Sequence, residues 1–244
     1  MSDSKLLPRT FSRVDIEKIS TGSRSFDTLL GGGLPVTCVT DIFGPAGTGK
    51  TQFAFQNAIT TCAYYDEKTV IGPNVVFVDC AGSFRPERIV EICESRELEP
   101  TTILDRISSI SVRKIEEQFD ATNRLLFENL FPNCRLVIVD DVTSNFVSDY
   151  SDEKDMILRQ RSLSIYARQL ASLASIRGLS IILTNSVRSR AELGDKETTG
   201  DILSEFALYR VQFSRVNGMR YASLVQPDFS AARVRFEISN VGIA

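Results

Sequence analysis

The chain has 244 residues, of which 43% are hydrophobic and 24% charged, and its formal net charge at pH 7 is −3. This length is sufficient to bury a core and is typical of one α/β domain. The sequence contains no histidine, which excludes imidazole metal ligands, Ser-His and Cys-His nucleophilic pairs, and acid–base catalysis by imidazole.

Four strongly apolar runs, separated by helical patterns, predict a parallel sheet of the βαβ type. The runs are Cys38–Phe43, Val75–Asp79, Leu136–Asp140 and Ser180–Thr184. Helices are predicted at Thr51–Tyr65, Pro86–Ser95, Lys114–Leu130 and Glu153–Ile176. In the third of these helices, the residues expected on the buried face are Ile115, Phe119, Thr122 and Leu126.

Towards the C-terminus the pattern changes to that of an antiparallel sheet. Two strand-like segments, Ala207–Val216 and Met219–Val225, flank Asn217-Gly218, a dipeptide preferred in two-residue hairpin turns. Val234–Ile238 supplies a further strand. We therefore predict an α/β fold with a mostly parallel central sheet, flanking helices and a C-terminal antiparallel extension.

The segment GPAGTGKT follows the first predicted strand and precedes the first predicted helix. It is a complete G-x-x-x-x-G-K-[ST] phosphate-binding loop, formed by Gly44, Pro45, Ala46, Gly47, Thr48, Gly49, Lys50 and Thr51. Its glycines allow backbone N–H groups to surround phosphates, Lys50 supplies positive charge, and the Thr51 hydroxyl can bind Mg²⁺. A glycine-rich turn with a chance Lys-Thr is the alternative, but the strand and helix context favours a nucleoside triphosphate site.

The run Cys134–Ser144 is an apolar strand that ends in carboxylates. An acidic side chain at such a strand end lies beside Mg²⁺ at a phosphate loop, so Asp140 is the candidate metal residue together with Thr51. Alternatively, Asp140 or Asp141 only ends the strand or caps the next turn. The phosphate loop upstream, in the correct order, favours the metal role.

No segment approaches the ~18–20 consecutive apolar residues of a membrane-spanning helix, and the opening MSDSKLLPRTFSR lacks the apolar run of a signal peptide. We therefore expect an intracellular protein without a membrane partner, cytoplasmic or, in a eukaryote, nuclear. From Met156 onward there are 12 Lys and Arg against 7 Asp and Glu. This asymmetry permits a basic face for nucleic acid without requiring one.

Several segments carry a family resemblance in one collinear order over nearly the whole chain. They are STGSRSFDTLLGGGLP, the phosphate loop extended to GKTQ, AGSFRPERI, LVIVDDVTS, ILTNSV and TGDILSEFALYRVQF. The sequence resembles the ATPase core of the RecA/RadA recombinase family, and within it the archaeal RadB-like paralogs and the eukaryotic recombinase paralogs. The resemblance implies a RecA-like P-loop ATPase domain at residues 19–244, after an N-terminal extension at residues 1–18, with ATP and Mg²⁺ as cofactors.

The resemblance also implies roles outside the phosphate loop. Arg88, the second Arg of FRPERI, corresponds to a residue that stacks on adenine; a surface salt bridge is the alternative. Asn185 resembles the family's polar sensor near the terminal phosphate, or is an ordinary strand-end Asn. The loop Ser186–Gly200 matches the position of a DNA-contacting loop, with the basic candidates Arg188, Arg190 and Lys196. Such residues neutralise DNA phosphates, but a polar loop of this kind can also bind nothing.

Departures from the family pattern concern hydrolysis first. Active members usually carry a glutamate two residues after the strand-ending Asp79, where it orients or activates the attacking water. That position is Ala81 here, and a methyl group cannot accept a proton or align water. We therefore expect ATP binding with slow or negligible hydrolysis, and no catalytic residue is assigned. Asp79 and Asp141 are the candidates for partial rescue.

Other departures concern assembly and DNA. Ser186 replaces the Gln that usually follows the sensor Asn, and Val225 stands at the Asp position of the family's ATP-capping Asp-x-Pro. The segment Ser148–Asp155 is acidic where filament-forming members tend to be basic, and an acidic loop repels a phosphate backbone. FSRV at Phe11–Val14 matches the family's Phe-x-x-Ala polymerisation tether poorly.

These features favour an ATP-binding recombinase paralog that acts as an accessory or mediator protein in homologous recombination and DNA repair. Its expected partners are a recombinase or another recombinase paralog, and single-stranded DNA. One alternative is an active DNA-dependent ATPase or recombinase in which another acid, or a residue of a partner subunit, replaces the missing glutamate. A second alternative is a KaiC-like signalling ATPase, which shares the RecA-type core.

Overall fold

The computed structural model describes residues 16–64, 75–128, 131, 133–187, 202–227 and 232–244. The strands in these ranges are β1 Lys18–Ile19, β2 Leu34–Pro35, β3 Val39–Gly44, β4 Val75–Asp79, β5 Ile107–Ser111, β6 Leu136–Asp140, β7 Ser180–Ser186, β8 Tyr209–Val216, β9 Met219–Gln226, β10 Arg233–Phe236, β11 Ile238–Ser239 and β12 Gly242–Ile243. The α-helices are α1 Arg24–Leu29, α2 Lys50–Tyr64, α3 Pro86–Ser95, α4 Pro100–Leu104, α5 Ile115–Phe127, α6 Ser144–Asp149 and α7 Met156–Arg177, and Glu153–Asp155 forms a 3₁₀ turn before α7.

An eight-stranded sheet with the order β10-β9-β8-β3-β7-β6-β4-β5 organises the fold. The six strands from β8 to β5 are parallel, and β9 and β10 extend the sheet antiparallel. At the carboxyl edge of the parallel strands, Asp79 lies opposite Asp140 and Gly44 opposite Ser186. This architecture confirms the predicted α/β fold with its antiparallel C-terminal extension, and ligands of such sheets bind at the carboxyl edge.

Apolar side chains fill both faces of the sheet. Along β6, Ile138 belongs to the cluster on one face, whereas Val137 and Val139 belong to the cluster on the other. The first cluster contains four phenylalanines with neighbouring ring centroids 5.0–5.7 Å apart, namely Phe26, Phe53, Phe213 and Phe236. Burial on both faces explains why the central strands read as continuous apolar runs.

The helix α7 covers the second face and places Leu163, Tyr166 and Leu170 in the core. It ends at Gly178, which adopts the left-handed conformation with φ 66° and whose N–H bonds to the carbonyl of Ala174, as the predicted stop signal requires. Although α7 has 22 residues, four of them are arginines. None of the helices in the described ranges is both long enough and apolar enough to cross a membrane.

The structure differs from the sequence predictions at several places, or adds to them. In α5 the predicted face is confirmed, since Ile115 and Thr122 are buried and Phe119 and Leu126, although only half-buried, pack against the core. Gln118, Ala121 and Leu125 are also buried in this helix and were not predicted. The strand predicted at Val234–Ile238 is divided between β10 and β11. The strand β5 was not predicted: its sequence ISSIS contains three serines and lies half-exposed at the sheet edge, so it lacks the apolar signature of a central strand.

Candidate nucleotide-binding site

A cleft of about 680 Å³ opens at the carboxyl edge of the parallel strands. The phosphate loop and the first turn of α2 form one wall, and the loops after β4 and β6 form another. The helix α3, the strand β9 and the C-terminal segment Ile238–Asn240 complete it. The cleft therefore collects residues that lie far apart in sequence around the predicted phosphate site.

The phosphate loop depends on a close approach between β3 and β8. Gly44 has a φ of 152°, and a Cβ atom at this position would lie 2.1 Å from the carbonyl oxygen of Phe213, so a side chain here would displace backbone. The loop leads directly into α2, whose first residue is Lys50. The N-terminus of a helix that follows a glycine-rich loop presents backbone N–H groups to phosphate oxygens.

Lys50 lies over its own loop. Its Nζ donates to the carbonyl oxygens of Gly44 at 2.8 Å and Pro45 at 3.0 Å, and the Thr48 hydroxyl donates to the same Pro45 oxygen at 2.8 Å. Burial lowers the pKa of Lys50, and the negative charges of Asp141 and Asp140 oppose this shift. The ammonium group thus points at oxygen acceptors inside the loop, where phosphate oxygens would offer stronger partners.

Asp140 and Thr51 meet in this cleft, as the sequence predicts for a metal pair. The Thr51 hydroxyl lies 3.0 and 3.2 Å from the two carboxylate oxygens of Asp140. Asp140 also accepts hydrogen bonds from the hydroxyls of Ser83 and Thr184. Burial raises the pKa of Asp140, hydrogen bonds from Ser83, Thr184 and Thr51 lower it, and the neighbouring Asp141 raises it.

This pair of oxygen ligands fits Mg²⁺, which prefers one or two carboxylates together with hydroxyl, water and phosphate oxygens. A bound Mg²⁺ would supply positive charge to a buried carboxylate and to phosphates at the same place. Ser83 and Thr184 were not predicted to belong to the site. Thr184 is the residue before Asn185 on β7 and Ser83 follows Ala81 after β4, so hydroxyl residues at the carboxyl ends of neighbouring strands were the available signal.

Arg88 lines the cleft and forms an ion pair at the same time. Its Nη1 lies 2.6 Å from Glu91 Oε2, its Nε donates to Gln52 Oε1 at 2.7 Å, and its Nη2 donates to the Ser239 carbonyl at 2.5 Å. The salt bridge considered from the sequence is therefore present. Arg88 nevertheless lines the cleft, and a planar guanidinium is a group that can stack on a flat aromatic base. Glu91 and the C-terminal residues were not identified from the sequence.

Asn185 lies behind the cleft. The residue is buried, with 3% of its surface exposed, and its Oδ1 accepts a hydrogen bond from the Thr143 hydroxyl at 3.2 Å. That hydroxyl also lies 3.0 Å from Asp141, whose other oxygen accepts from the N–H of Ser186 at 3.0 Å. Asn185 is thus connected to the cleft residues Asp141 and Ser186 through hydrogen bonds.

Residues 12–244 match the protein family described as Rad51.

The chain belongs to the Rad51 family.

Three archaeal proteins named DNA repair and recombination protein RadA are similar to it over most of its length. The RadA of Metallosphaera sedula is 34% identical over 238 residues, which cover 95% of this chain and 73% of the relative. The RadA of Ignicoccus hospitalis is 32% identical over 243 residues, covering 95% and 74%, and that of Aeropyrum pernix 32% over 236 residues, covering 94% and 74%. The RecA/RadA resemblance is thereby confirmed.

In this Rad51-family chain, Ala81 is exposed and lines the cleft. The acidic side chains around it are engaged elsewhere. Asp79 accepts from the backbone N–H groups of Ser83 at 2.9 Å and Phe84 at 3.3 Å, and so holds the loop after β4. Asp141 bonds to Thr143 and Ser186, and Glu91 pairs with Arg88. The methyl group of Ala81 therefore faces the cleft at the position where the resemblance leads us to expect a glutamate.

The DNA-contacting candidates of this Rad51-family chain lie outside the described residues. They are Arg188, Arg190 and Lys196. The acidic segment Ser148–Asp155 is described, and one of its carboxylates has a structural role. Asp149 Oδ2 accepts from the backbone N–H of Ile115 at 2.9 Å, at the start of α5. Part of the acidity of this segment therefore serves to cap a helix.

Proposed function

We propose that the chain is an ATP-binding recombinase paralog that acts as an accessory or mediator protein in homologous recombination and DNA repair, with weak or absent ATP hydrolysis. Membership of the Rad51 family and similarity to proteins named DNA repair and recombination protein RadA support the recombination part. The exposed Ala81 in the cleft wall carries the argument for weak hydrolysis.

ATP and Mg²⁺ fit the site through residues on several elements. The phosphate loop and Lys50 would hold the phosphates, and Thr51 and Asp140 would hold the metal. Arg88 offers its planar guanidinium to the adenine at the other end of the cleft. Asn185 would respond to the terminal phosphate through Thr143 and Asp141. It accepts a hydrogen bond from the Thr143 hydroxyl, which also lies within hydrogen-bond distance of Asp141.

Rapid hydrolysis is not expected, because the residue at position 81 is an alanine and cannot position the attacking water. Phosphoryl transfer needs a group that positions or activates water near the terminal phosphate. Ala81 provides neither a proton acceptor nor a hydrogen bond, and Asp79, Asp141 and Glu91 each have hydrogen-bonding or ionic partners of their own. Binding without efficient turnover is the chemistry that this combination supports.

An active DNA-dependent ATPase is the second candidate, because the remaining phosphate and metal residues are complete. Lys50, Thr51 and Asp140 lie together in the cleft, and a carboxylate from a partner subunit could take the place of the missing glutamate. DNA-stimulated turnover would distinguish this function from that of an accessory protein.

The partner surface that we propose for a recombinase, or for another paralog, lies at β5. In the part of the chain that the structure describes, β5 pairs only with β4 and forms the edge of the sheet. Beside it, a groove of about 430 Å³ has an apolar floor that includes Val112, Ala121 and Leu125. An unpaired strand edge next to an apolar groove suits an extended peptide that adds a strand and inserts a side chain.

The deciding experiment measures ATP turnover by the purified protein with and without single-stranded DNA, together with binding of a fluorescent ATP analogue. We expect binding with little or no turnover. The variant Ala81→Glu should raise turnover, while Ala81→Gln, which has nearly the same shape but no basic carboxylate, should not. Robust DNA-stimulated turnover by the unmodified chain would refute the accessory function and support the ATPase alternative.

A further inference from the structure

Arg220, on the C-terminal hairpin, reaches the wall of the nucleotide cleft. It lies opposite Arg215 on β8 and opposite Phe236 on β10. Phe236 borders the phosphate loop, since a Cβ atom at Gly49 would lie 3.4 Å from its ring. Residues that are directly opposite on neighbouring strands share one face of a sheet, so Arg220 is on the face that covers the phosphate loop.

The surroundings of Arg220 leave part of its guanidinium without a partner. Its Nε is buried and has no hydrogen-bond partner among the described residues. A buried donor that stays unpaired is unfavourable, and a guanidinium pairs best with oxyanions that accept two parallel hydrogen bonds. Arg88, the other arginine of the cleft wall, differs in that Glu91, Gln52 and Ser239 already engage it.

We infer that Arg220 is a ligand for the phosphate chain of the nucleotide, supplied by the antiparallel hairpin of the same chain. This inference rests on the proposed nucleotide-binding function and adds a second positive charge to that of Lys50. The phosphates would then be held between the loop after β3 and the hairpin β8–β9. Nucleotide binding would fix the position of the hairpin relative to the phosphate loop.

Arg215 provides a matched control. It occupies the position directly across from Arg220, but it is exposed, donates to the Gly218 carbonyl at 3.3 Å, and does not line the cleft. Arg220→Gln and Arg215→Gln therefore remove the same charge from the same hairpin. Only the first removes a group from the cleft.

The test measures the affinity for two probes, ATPγS with Mg²⁺ and inorganic tripolyphosphate, by competition with a fluorescent ATP analogue. Arg220→Gln should weaken both probes by about 10- to 100-fold, because one charged hydrogen-bonding group is lost. Arg215→Gln should change each affinity less than about twofold, and Arg220→Lys should restore part of the loss. The dependence of log affinity on log salt concentration should become shallower in Arg220→Gln alone.

Specific outcomes would overturn the inference. Unchanged affinity in Arg220→Gln, equal losses in both hairpin variants, or a loss for ATPγS without a loss for tripolyphosphate would each show that Arg220 is not a phosphate ligand. If Arg220→Gln has a lower thermal midpoint than the unmodified chain, the variant Arg220→Lys, which keeps the positive charge, decides. A folded Arg220→Lys variant that binds tripolyphosphate no better than Arg220→Gln would contradict the inference. Failure of the unmodified chain to bind any nucleotide would instead refute the proposed function itself.

Discussion

At the scale of single residues, Lys50 gives the simplest test of the site. Lys50→Ala removes a buried ammonium group that points into the phosphate loop, together with its hydrogen bonds. Because hydrogen bonds to charged groups are worth about 1.5–3 kcal/mol each, we expect the affinity for a fluorescent ATP analogue to fall at least ~100-fold. Lys114→Ala, at the exposed N-cap of α5, is the control. Unchanged affinity in Lys50→Ala would disprove the site assignment.

Asp140, the proposed metal ligand, is expected to lower the free energy of unfolding at neutral pH. The folded-state pKa of this carboxyl is raised, mainly by burial. The folded protein therefore binds more protons than the unfolded chain just above the ordinary pKa range of Asp, and the free energy of unfolding falls as the pH rises through that interval. At neutral pH the charged carboxylate is destabilising wherever no cation compensates it.

Asp140→Asn should consequently raise the thermal midpoint in metal-free buffer at pH 7, by about 2–4 °C for each kcal/mol regained in a chain of this size. It should also abolish the dependence of nucleotide affinity on Mg²⁺. The neighbouring hydroxyls can rotate to accept from the new amide as well as donate to it. Asp105→Asn, which changes an exposed carboxylate, should leave both quantities unchanged. A lower midpoint in Asp140→Asn would mean that Ser83, Thr184 and Thr51 require a charged acceptor.

At the scale of elements, the groove between β5 and α5 can be filled without disturbing the nucleotide cleft. Ala121 lies in this groove and is 5% exposed. Ala121→Phe should occupy the space that an inserted side chain needs, and should lower the affinity for a purified RadA-type recombinase at least ~10-fold, consistent with the loss of one buried apolar anchor.

The same substitution at Ala171, which lines a smaller pocket of about 280 Å³ beside α7, is the matched control. Both variants should retain their affinity for the ATP analogue. Equal recombinase binding by the Ala121→Phe and unmodified proteins would exclude this groove as the docking surface.

Some elements of the candidate site could be predicted from the sequence, and others could not. The phosphate loop and Asp140 were predictable, because a short motif and an apolar strand fix their local geometry and the parallel sheet aligns the strand ends. Ile238, Ser239 and Arg220 were not, because antiparallel pairing over many residues brings them to the cleft and no local pattern encodes that approach. The edge strand β5 was not predicted for a related reason. Exposure on one side permits serines at positions where a central strand requires apolar residues.

At the scale of the whole molecule, the C-terminal segment packs against α2 and the end of α3. Arg96 donates to the Val241 carbonyl at 2.8 Å and to Gln56 Oε1 at 2.8 Å, and the N–H of Ile243 donates to the same Gln56 oxygen at 2.7 Å. Ile243 is 3% exposed and belongs to the first apolar cluster. The segment is therefore part of the core as well as part of the cleft.

Deletion of residues 237–244 should reduce both stability and nucleotide affinity. Loss of the buried Ile243 alone should destabilise by about 2–5 kcal/mol, as truncation of a core isoleucine does, and loss of the cleft residues after Phe236 should weaken ATP analogue binding. Thermal unfolding with and without the analogue measures both effects. The exposed Val241→Ala is the control. A deletion variant that loses stability but binds ATP normally would show that the segment has a purely structural function.

In the part of the chain that the structure describes, β5 has one edge without a paired strand, and this edge sets the stoichiometry of the proposed partner binding. A strand has two hydrogen-bonding edges, and β4 already occupies one of those of β5. A partner segment that pairs with β5 occupies the remaining edge of this strand. The free edge of the sheet then belongs to the partner and no longer to this chain. Titration of the chain with such a segment should therefore reach its end point at one molecule per chain, and any longer assembly has to be built head to tail from successive unlike surfaces.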